Sequence, residues 1–142
     1  FNLSHSGDVA LIALTRVGGI GVDVEYMKRG VRDMKIAERF FSEAEVRALK
    51  EVADDMKKEA FLNCWTRKEA YIKAIGEGLS CPLDQFEVSL APGDPAALLT
   101  VQGDPEASSK WWIAALHPGR DYIAAVAAAG ECENLACWAL AE

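Results

Sequence analysis

The sequence lacks the features that mark membrane-spanning and nucleic-acid-binding proteins. No uninterrupted apolar run approaches the ~18–20 residues that a transmembrane helix requires, so no membrane span is predicted. Basic residues are outnumbered, with 15 Lys+Arg against 22 Asp+Glu and a formal net charge of -7 over 142 residues. Because neutralising phosphates requires an excess of cations, nonspecific nucleic-acid binding is not expected as the main role.

Cysteine is present in small number and without the spacing of a metal site. Cys64, Cys81, Cys132 and Cys137 form no CxxC and no Cys/His ligand pattern. Interpreted as reduced thiols, they predict a cytoplasmic chain, since disulfides form in oxidising compartments. The chain also lacks an initiator Met and a signal peptide at Phe1, from which we expect that upstream residues are missing.

Two well-known catalytic motifs are also missing. There is no GxxxxGK[ST], and the glycines at 18, 19 and 21 precede a strand rather than a helix, so a P-loop is excluded. There is no G-x-S-x-G elbow, which disfavours a Ser/His/Asp hydrolase.

Length and patterning predict one domain of α+β class over residues 1–142. Hydrophobic residues make up 51% of the chain, which disfavours disorder. Residues 9–14 form an apolar run that predicts a buried strand, and residues 20–26 alternate with the period of a strand. Three helices are predicted. The first covers about 32–41, the second starts at a capping box formed by Ser42 and Glu45, and the third covers about 57–76. Strands are predicted near 86–90, 98–102, 111–116 and 122–128, giving a mostly antiparallel sheet packed against helices.

The strand at 20–26 carries two carboxylates on one face. Asp23 and Glu25 lie at i and i+2, and their mutual repulsion on a buried face would need a hard cation to offset it. A solvated face of an edge strand is the alternative, since charged side chains are usually exposed.

The long predicted helix supplies a third carboxylate and two lysines. Glu69 and Lys73 lie one turn apart at the border of its apolar stripe, where they suit either a surface ion pair or a site. Lys68 falls inside that stripe, although a long side chain can extend its ammonium group to water. If helix and strand are adjacent, Asp23, Glu25 and Glu69 form a half-shell for Mg²⁺, and the lysines face a phosphorylated substrate.

Two further polar segments are candidates for binding. One is the segment SHSG at 4–7, whose hydroxyls, imidazole and amides could bind a phosphate. The alternative is a polar turn that leads into the strand. The other is a basic patch, which is either a solvated helix face or a docking surface for an acidic partner or for substrate phosphates. It comprises Lys28, Arg29, Arg32, Lys35 and Arg39.

The order and spacing of these motifs resemble the 4′-phosphopantetheinyl transferases. The resemblance covers residues 1–90 and rests on FNLSHSG at 1–7, GVDVE at 21–25, FFSEAE at 40–45 and, above all, WTRKEAYIKA at 65–74. The segments GEGLS at 76–80 and PLD at 82–84 also fit. Residues 91–142 match only in being rich in predicted strands.

The resemblance implies an enzyme that transfers the phosphopantetheine arm of coenzyme A to a serine of an acyl or peptidyl carrier protein, releasing 3′,5′-ADP. It implies Mg²⁺ bound by Asp23, Glu25 and Glu69. It also implies a phosphate contact from Lys73, with Lys68 beside the metal ligand. Ser4 and His5 would receive the 3′-phosphate of coenzyme A.

The sequence leaves the general base and the partner open. The base that takes the serine proton is Glu69, a metal-bound water or, as a weaker candidate, Glu45. The carrier protein is expected to dock on Arg32, Lys35 and Arg39. A noncatalytic module that binds coenzyme A or a carrier protein is the alternative function.

The chain resembles the second half of the longer class of this family, in which two similar halves share one chain. A missing first half, or a second chain, is therefore an expected partner, and we expect the isolated chain to be incomplete as a catalyst.

Overall fold

A computed structural model describes residues 1–28, 33–76 and 80–140. Its strands are β1 (Asn2–Ser6), β2 (Val9–Ala13), β3 (Ile20–Tyr26), β4 (Phe86–Val88), β5 (Leu98–Val101), β6 (Trp111–Leu116) and β7 (Tyr122–Ala129). Its helices are α1 (Asp33–Phe40), α2 (Glu43–Glu51), α3 (Lys57–Ile75) and α4 (Ala107–Lys110), with short 3-10 turns at Asp54–Met56 and Leu83–Gln85. The α+β class with antiparallel strands packed against helices is confirmed.

The central sheet has three antiparallel strands in the order β3–β7–β6. The β6–β7 hairpin turns at residues 118–121, as its Pro-Gly sequence predicts. Two further antiparallel pairs stand apart from this sheet, β1 with β2 and β4 with β5. Helix α3 packs on one face of the central sheet, against β3 and β7.

Helices α2 and α3 begin and end where their sequence signals lie. The Ser42 hydroxyl accepts from the Glu45 amide, and the Glu45 carboxylate accepts from the Ser42 amide, so the predicted capping box is confirmed. Helix α3 ends at Gly76, whose φ of 73° is the left-handed conformation that glycine adopts at little cost.

The N-terminal hairpin differs from the sequence prediction in two ways. Ser4, His5 and Ser6 belong to strand β1, and the turn is at residues 7–8. Residues 9–14 were expected to form a buried strand, but Ile12 is 64% and Leu14 is 77% exposed. An apolar run predicts a strand without specifying its partner, and here β2 pairs only with β1 at the edge of the described structure.

Strand β1 meets β3 through its side chains rather than through its backbone. The Asn2 amide oxygen accepts from the Val22 amide at 2.9 Å, the Ser4 hydroxyl from Val24 at 3.2 Å, and the Ser6 hydroxyl from Tyr26 at 3.0 Å. These three contacts satisfy amides that β7, on the other side of β3, does not reach.

Within the described ranges, none of the helices has the length and apolar character needed to cross a lipid bilayer.

Candidate active site

The candidate site lies where β3 and α3 approach most closely, and glycine permits that approach. A Cβ atom on Gly21 would lie 2.0 Å from the Ala70 carbonyl oxygen and 2.6 Å from the Ala74 amide nitrogen. Gly19 meets the Ala74 oxygen in the same way, at 2.2 Å. Only residues without a side chain fit here, so the helix backbone rests directly on the strand.

Asp23 and Glu25 lie on the face of β3 that α3 covers. Their partners in β7 are Ala125 and Ile123, which belong to the core beneath α3. Asp23 is buried, with 6% of its surface exposed. The interpretation of this strand as a solvated edge is therefore wrong for Asp23.

The three predicted metal ligands lie close enough to interact electrostatically. Burial raises the pKa of Asp23 to about 7; Lys73 opposes that rise, while Glu25 and Glu69 add to it. Burial also raises the pKa of Glu69, again opposed by Lys73 and reinforced by Glu25. The structure thus brings Asp23, Glu25, Glu69 and Lys73 together from one strand and one helix.

The Asp23 carboxylate is only partly satisfied. Its Oδ1 atom accepts from the Ser4 hydroxyl and from the Lys73 ammonium group, both at 3.4 Å. Its Oδ2 atom is buried and has no hydrogen-bond partner among the residues that the structure describes. An unpaired buried carboxylate oxygen is costly, and a cation is the partner that would offset the cost.

The donor set fits a magnesium ion chemically, although its side chains are not gathered around one point. Carboxylate oxygens are the ligands that Mg²⁺ prefers. Among the residues that the structure describes, no three His, Cys, Asp or Glu side chains form a group close enough to hold a metal. The Lys73 ammonium instead lies beside Asp23 and donates to the Val22 carbonyl at 2.8 Å. Binding an ion here requires rotation of side chains.

Ser4 and His5 occupy opposite faces of β1. Ser4 is buried, and its hydroxyl accepts from the Val24 amide while it donates to Asp23. His5 is exposed. The link from Ser4 to Asp23 was not foreseen, because a sequence separation of 19 residues carries no local pattern.

Lys68 lies apart from the carboxylates, contrary to the expectation that it faces the substrate. It is fully buried, and its ammonium group lies 2.8 Å from Glu45 Oε1. It also donates to the backbone carbonyls of Leu83 and Phe86, which accounts for its three N–H donors. Its position inside the apolar stripe was the signal in the sequence that pointed towards the core, although the expectation drawn from the sequence was a lysine that faces the substrate or reaches water.

The predicted docking patch is visible in part. Lys35 and Arg39 are exposed on α1, and the Arg39 guanidinium lies 5.1 Å from the centre of the Phe40 ring. Lys28 forms a surface ion pair with Asp121 at 3.3 Å. Arg29 and Arg32 lie outside the described residues.

Comparison with known proteins assigns the chain to a family. The profile of the 4′-phosphopantetheinyl transferase superfamily matches residues 19–127, and the chain belongs to that superfamily. It is 38% identical over 130 residues to the 4′-phosphopantetheinyl transferase HetI of Nostoc sp., covering 92% of this chain and 52% of HetI. It is 35% identical over 129 residues to the 4′-phosphopantetheinyl transferase Sfp of Bacillus subtilis, covering 83% of this chain and 55% of Sfp.

The chain therefore spans about half the length of the curated relatives it matches. Solved structures support the fold. The holo-[acyl-carrier-protein] synthase of Thermotoga maritima superposes with a TM-score of 0.63 at 24% identity, covering 80% of this chain and 64% of that chain. The synthase of Bacillus anthracis, in complex with CoA (3′,5′-ADP), superposes with a TM-score of 0.59 at 24% identity, covering 77% and 92%.

Proposed function

We propose that this chain takes part in transferring the 4′-phosphopantetheine arm of coenzyme A to a serine of an acyl or peptidyl carrier protein, with release of 3′,5′-ADP. Family membership and the names of its relatives support this reaction. The observation that carries the proposal is the buried Asp23 carboxylate in the field of Glu25, Glu69 and Lys73, with an Oδ2 atom that no group in the described ranges hydrogen-bonds.

Asp23, Glu25 and Glu69 are the proposed ligands of Mg²⁺. When bound, the ion would neutralise charge on the pyrophosphate of coenzyme A and on the leaving group. The raised pKa values of Asp23 and Glu69 support this assignment, since both carboxylates lie in surroundings that disfavour their negative charge.

Lys73 is the proposed phosphate contact. Its side chain is 29% exposed, and its ammonium group lies 3.4 Å from Asp23 Oδ1 within the site. The cation would stabilise negative charge that develops on the phosphate oxygens.

Glu69 is the proposed general base for the carrier serine, acting directly or through a water. Its side chain is half-buried and interacts with Glu25 and Lys73, so it lies in the same site as the proposed phosphate contact. Glu45 is a poorer candidate, because it is 3% exposed and its carboxylate is already hydrogen-bonded within the core.

The 3′-phosphate of coenzyme A is assigned to the β1 segment. His5 is the better placed of the two predicted residues, since its imidazole is exposed, whereas the Ser4 hydroxyl is engaged with Val24 and Asp23. The exposed cations Lys35 and Arg39 are the proposed docking site for an acidic carrier protein, together with Arg32.

A further part of the proposal is that the chain corresponds to the C-terminal half of a two-half enzyme and needs an upstream half, or a second chain, for full activity. The length of the relatives supports it. So does the outer face of the β1–β2 hairpin, where Phe1, Leu3, Ile12 and Leu14 are all at least half exposed. The proposed compartment is the cytoplasm, where cysteine thiols stay reduced.

The test is mass spectrometry of an apo carrier protein after incubation with the chain, coenzyme A and Mg²⁺, with and without the upstream half supplied in trans. A gain equal to the phosphopantetheine arm is expected when both halves are present. No gain under either condition would refute the transferase assignment. Full activity of the isolated chain as a monomer would refute the need for a second half.

The substitution Glu69→Gln separates catalysis from binding alone. A transferase should lose turnover by several orders of magnitude, whereas a noncatalytic binding module should lose only metal-dependent affinity. The exposed acid Glu51, at the end of α2, provides the matched control, Glu51→Gln, for which turnover should be unchanged.

A further inference from the structure

A deeply buried ion pair lies outside the carboxylate site, between α2 and α3. Lys68 and Glu45 have side-chain exposures of 0% and 3%, and their charged atoms are 2.8 Å apart. No other ion pair formed within the described ranges is so completely shielded from water.

Both charges are saturated by hydrogen bonds within the core. Glu45 Oε1 accepts from the Ser42 amide at 3.0 Å, and Glu45 Oε2 accepts from the Val88 amide at 2.9 Å. The Cys64 thiol donates to the same Oε2 atom at 3.5 Å. Neither side chain has a free atom with which to contact a substrate.

The pair joins three elements at one point. Lys68 reaches from α3 to Leu83 and Phe86, which flank the start of β4, while Glu45 ties α2 to Val88 in β4. The Phe86 ring also lies 4.1 Å from the Lys68 ammonium group. A charge held from several directions leaves the helix little freedom to rotate about its axis.

Glu69 follows Lys68 in the sequence and points about 100° further round the helix. The rotation that Lys68 fixes therefore determines the direction in which Glu69 leaves the helix. Lys73 leaves α3 one turn after Glu69, and its ammonium group lies 3.4 Å from Asp23 Oδ1. Glu69 therefore leaves the helix on the face that meets β3, the strand that carries Asp23 and Glu25.

We propose that Lys68 and Glu45 are positioning residues, whose ion pair fixes the rotation of α3 and so aims Glu69 at Asp23 and Glu25. Neither side chain contacts coenzyme A or the carrier serine. This inference rests on the metal site of the proposed function.

The experiment measures the affinity of the full 142-residue chain for Mn²⁺ alone, by electron paramagnetic resonance, below the unfolding temperature. Variants are Lys68→Met, Glu45→Gln and the double variant. Each single substitution should weaken Mn²⁺ binding about 10- to 100-fold, as is typical when a group that orients a metal ligand is removed. The Mn²⁺ affinity of the double variant should be at most about twofold below that of the single variant with the lower affinity, because both substitutions break the same interaction.

The exposed pair of Lys50 and Glu38 provides the control. Its atoms are 3.6 Å apart, and more than half of each side chain is exposed. Lys50→Met with Glu38→Gln should leave Mn²⁺ affinity unchanged, which separates the buried pair from a general effect of removing charge.

Unchanged Mn²⁺ affinity in both single variants, or losses that multiply in the double variant, would overturn the positioning role and leave the proposed function standing. Absence of Mn²⁺ binding by the unsubstituted chain would overturn the metal site and the positioning role together. If Lys68→Met alone does not fold, Glu45→Gln is compared with the double variant, in which no buried charge is unpaired. If the Mn²⁺ affinity of the double variant is then more than about twofold below that of Glu45→Gln, the result contradicts the proposal.

Discussion

The close approach of β3 and α3 predicts that Gly21→Ala strongly destabilises the protein. The added Cβ atom would lie 2.0 Å from the Ala70 oxygen and 2.6 Å from the Ala74 nitrogen, where ordinary contact begins at 3.4 Å. Both neighbours are backbone atoms, so restoring ordinary contact requires strand and helix to separate by about 1.4 Å, from 2.0 to 3.4 Å. Overpacking of this kind costs about 3 kcal/mol, the upper end of its usual range. At ~3 °C per kcal/mol for a chain of this size, Tm should fall by about 10 °C.

Thermal unfolding followed by circular dichroism measures this effect, with Gly119→Ala as the control. A Cβ atom on Gly119 meets only the edge of the Tyr122 ring, at 3.2 Å, and Gly119 is not among the glycines with positive φ. The two variants add the same methyl group, so their difference reports the contact with α3. A Tm for Gly21→Ala within about 2 °C of the control would refute the claim that the strand and helix backbones are in contact.

Three other predictions concern pH, docking and helix capping. Burial raises the pKa of Asp23 to about 7 in the metal-free folded chain, whereas the ordinary value of 3.8 applies in the unfolded chain. The free energy of unfolding should therefore fall by up to about 4 kcal/mol as pH rises through this window, because the buried carboxyl group must lose its proton. For Asp23→Asn, the free energy of unfolding measured with urea should depend less on pH. The double substitution Lys35→Glu and Arg39→Glu should weaken binding of an acidic apo carrier protein several-fold, measured by calorimetry, and leave coenzyme A binding unchanged. An unchanged affinity for the carrier protein would show that α1 is not part of the docking site. Ser42→Ala should cost about 1 kcal/mol in urea unfolding, because the Glu45 amide loses its cap.

Much of the architecture follows from local sequence signals. The capping box at Ser42, the glycine stop at Gly76 and the strand at Trp111–Leu116 are predicted from spacing and turn residues, and the structure confirms them. Local signals suffice here because caps and turns depend on neighbours within about four residues.

The environment of the site depended on contacts that no local pattern encodes. The position of Asp23 and Glu25 on one face followed from the period of a strand, but the burial of Asp23 beneath α3 depends on Gly21 and the helix backbone. Lys68 lies in the apolar stripe, but its complete burial was not predicted, because its partner Glu45 lies 23 residues away on another helix. The apolar run at 9–14 predicted a strand, but not that one face of it would remain exposed.

The side-chain contacts that attach β1 to β3 have a consequence for local opening. Side chains of β1 accept hydrogen bonds from the amides of Val22, Val24 and Tyr26 and so protect them. The amides of the intervening β3 residues point to β7 instead. Detachment of the hairpin would expose the first set to deuterium and leave the second protected. Alternate amides of a single strand thus report on two separate opening reactions, one of the hairpin and one of the central sheet.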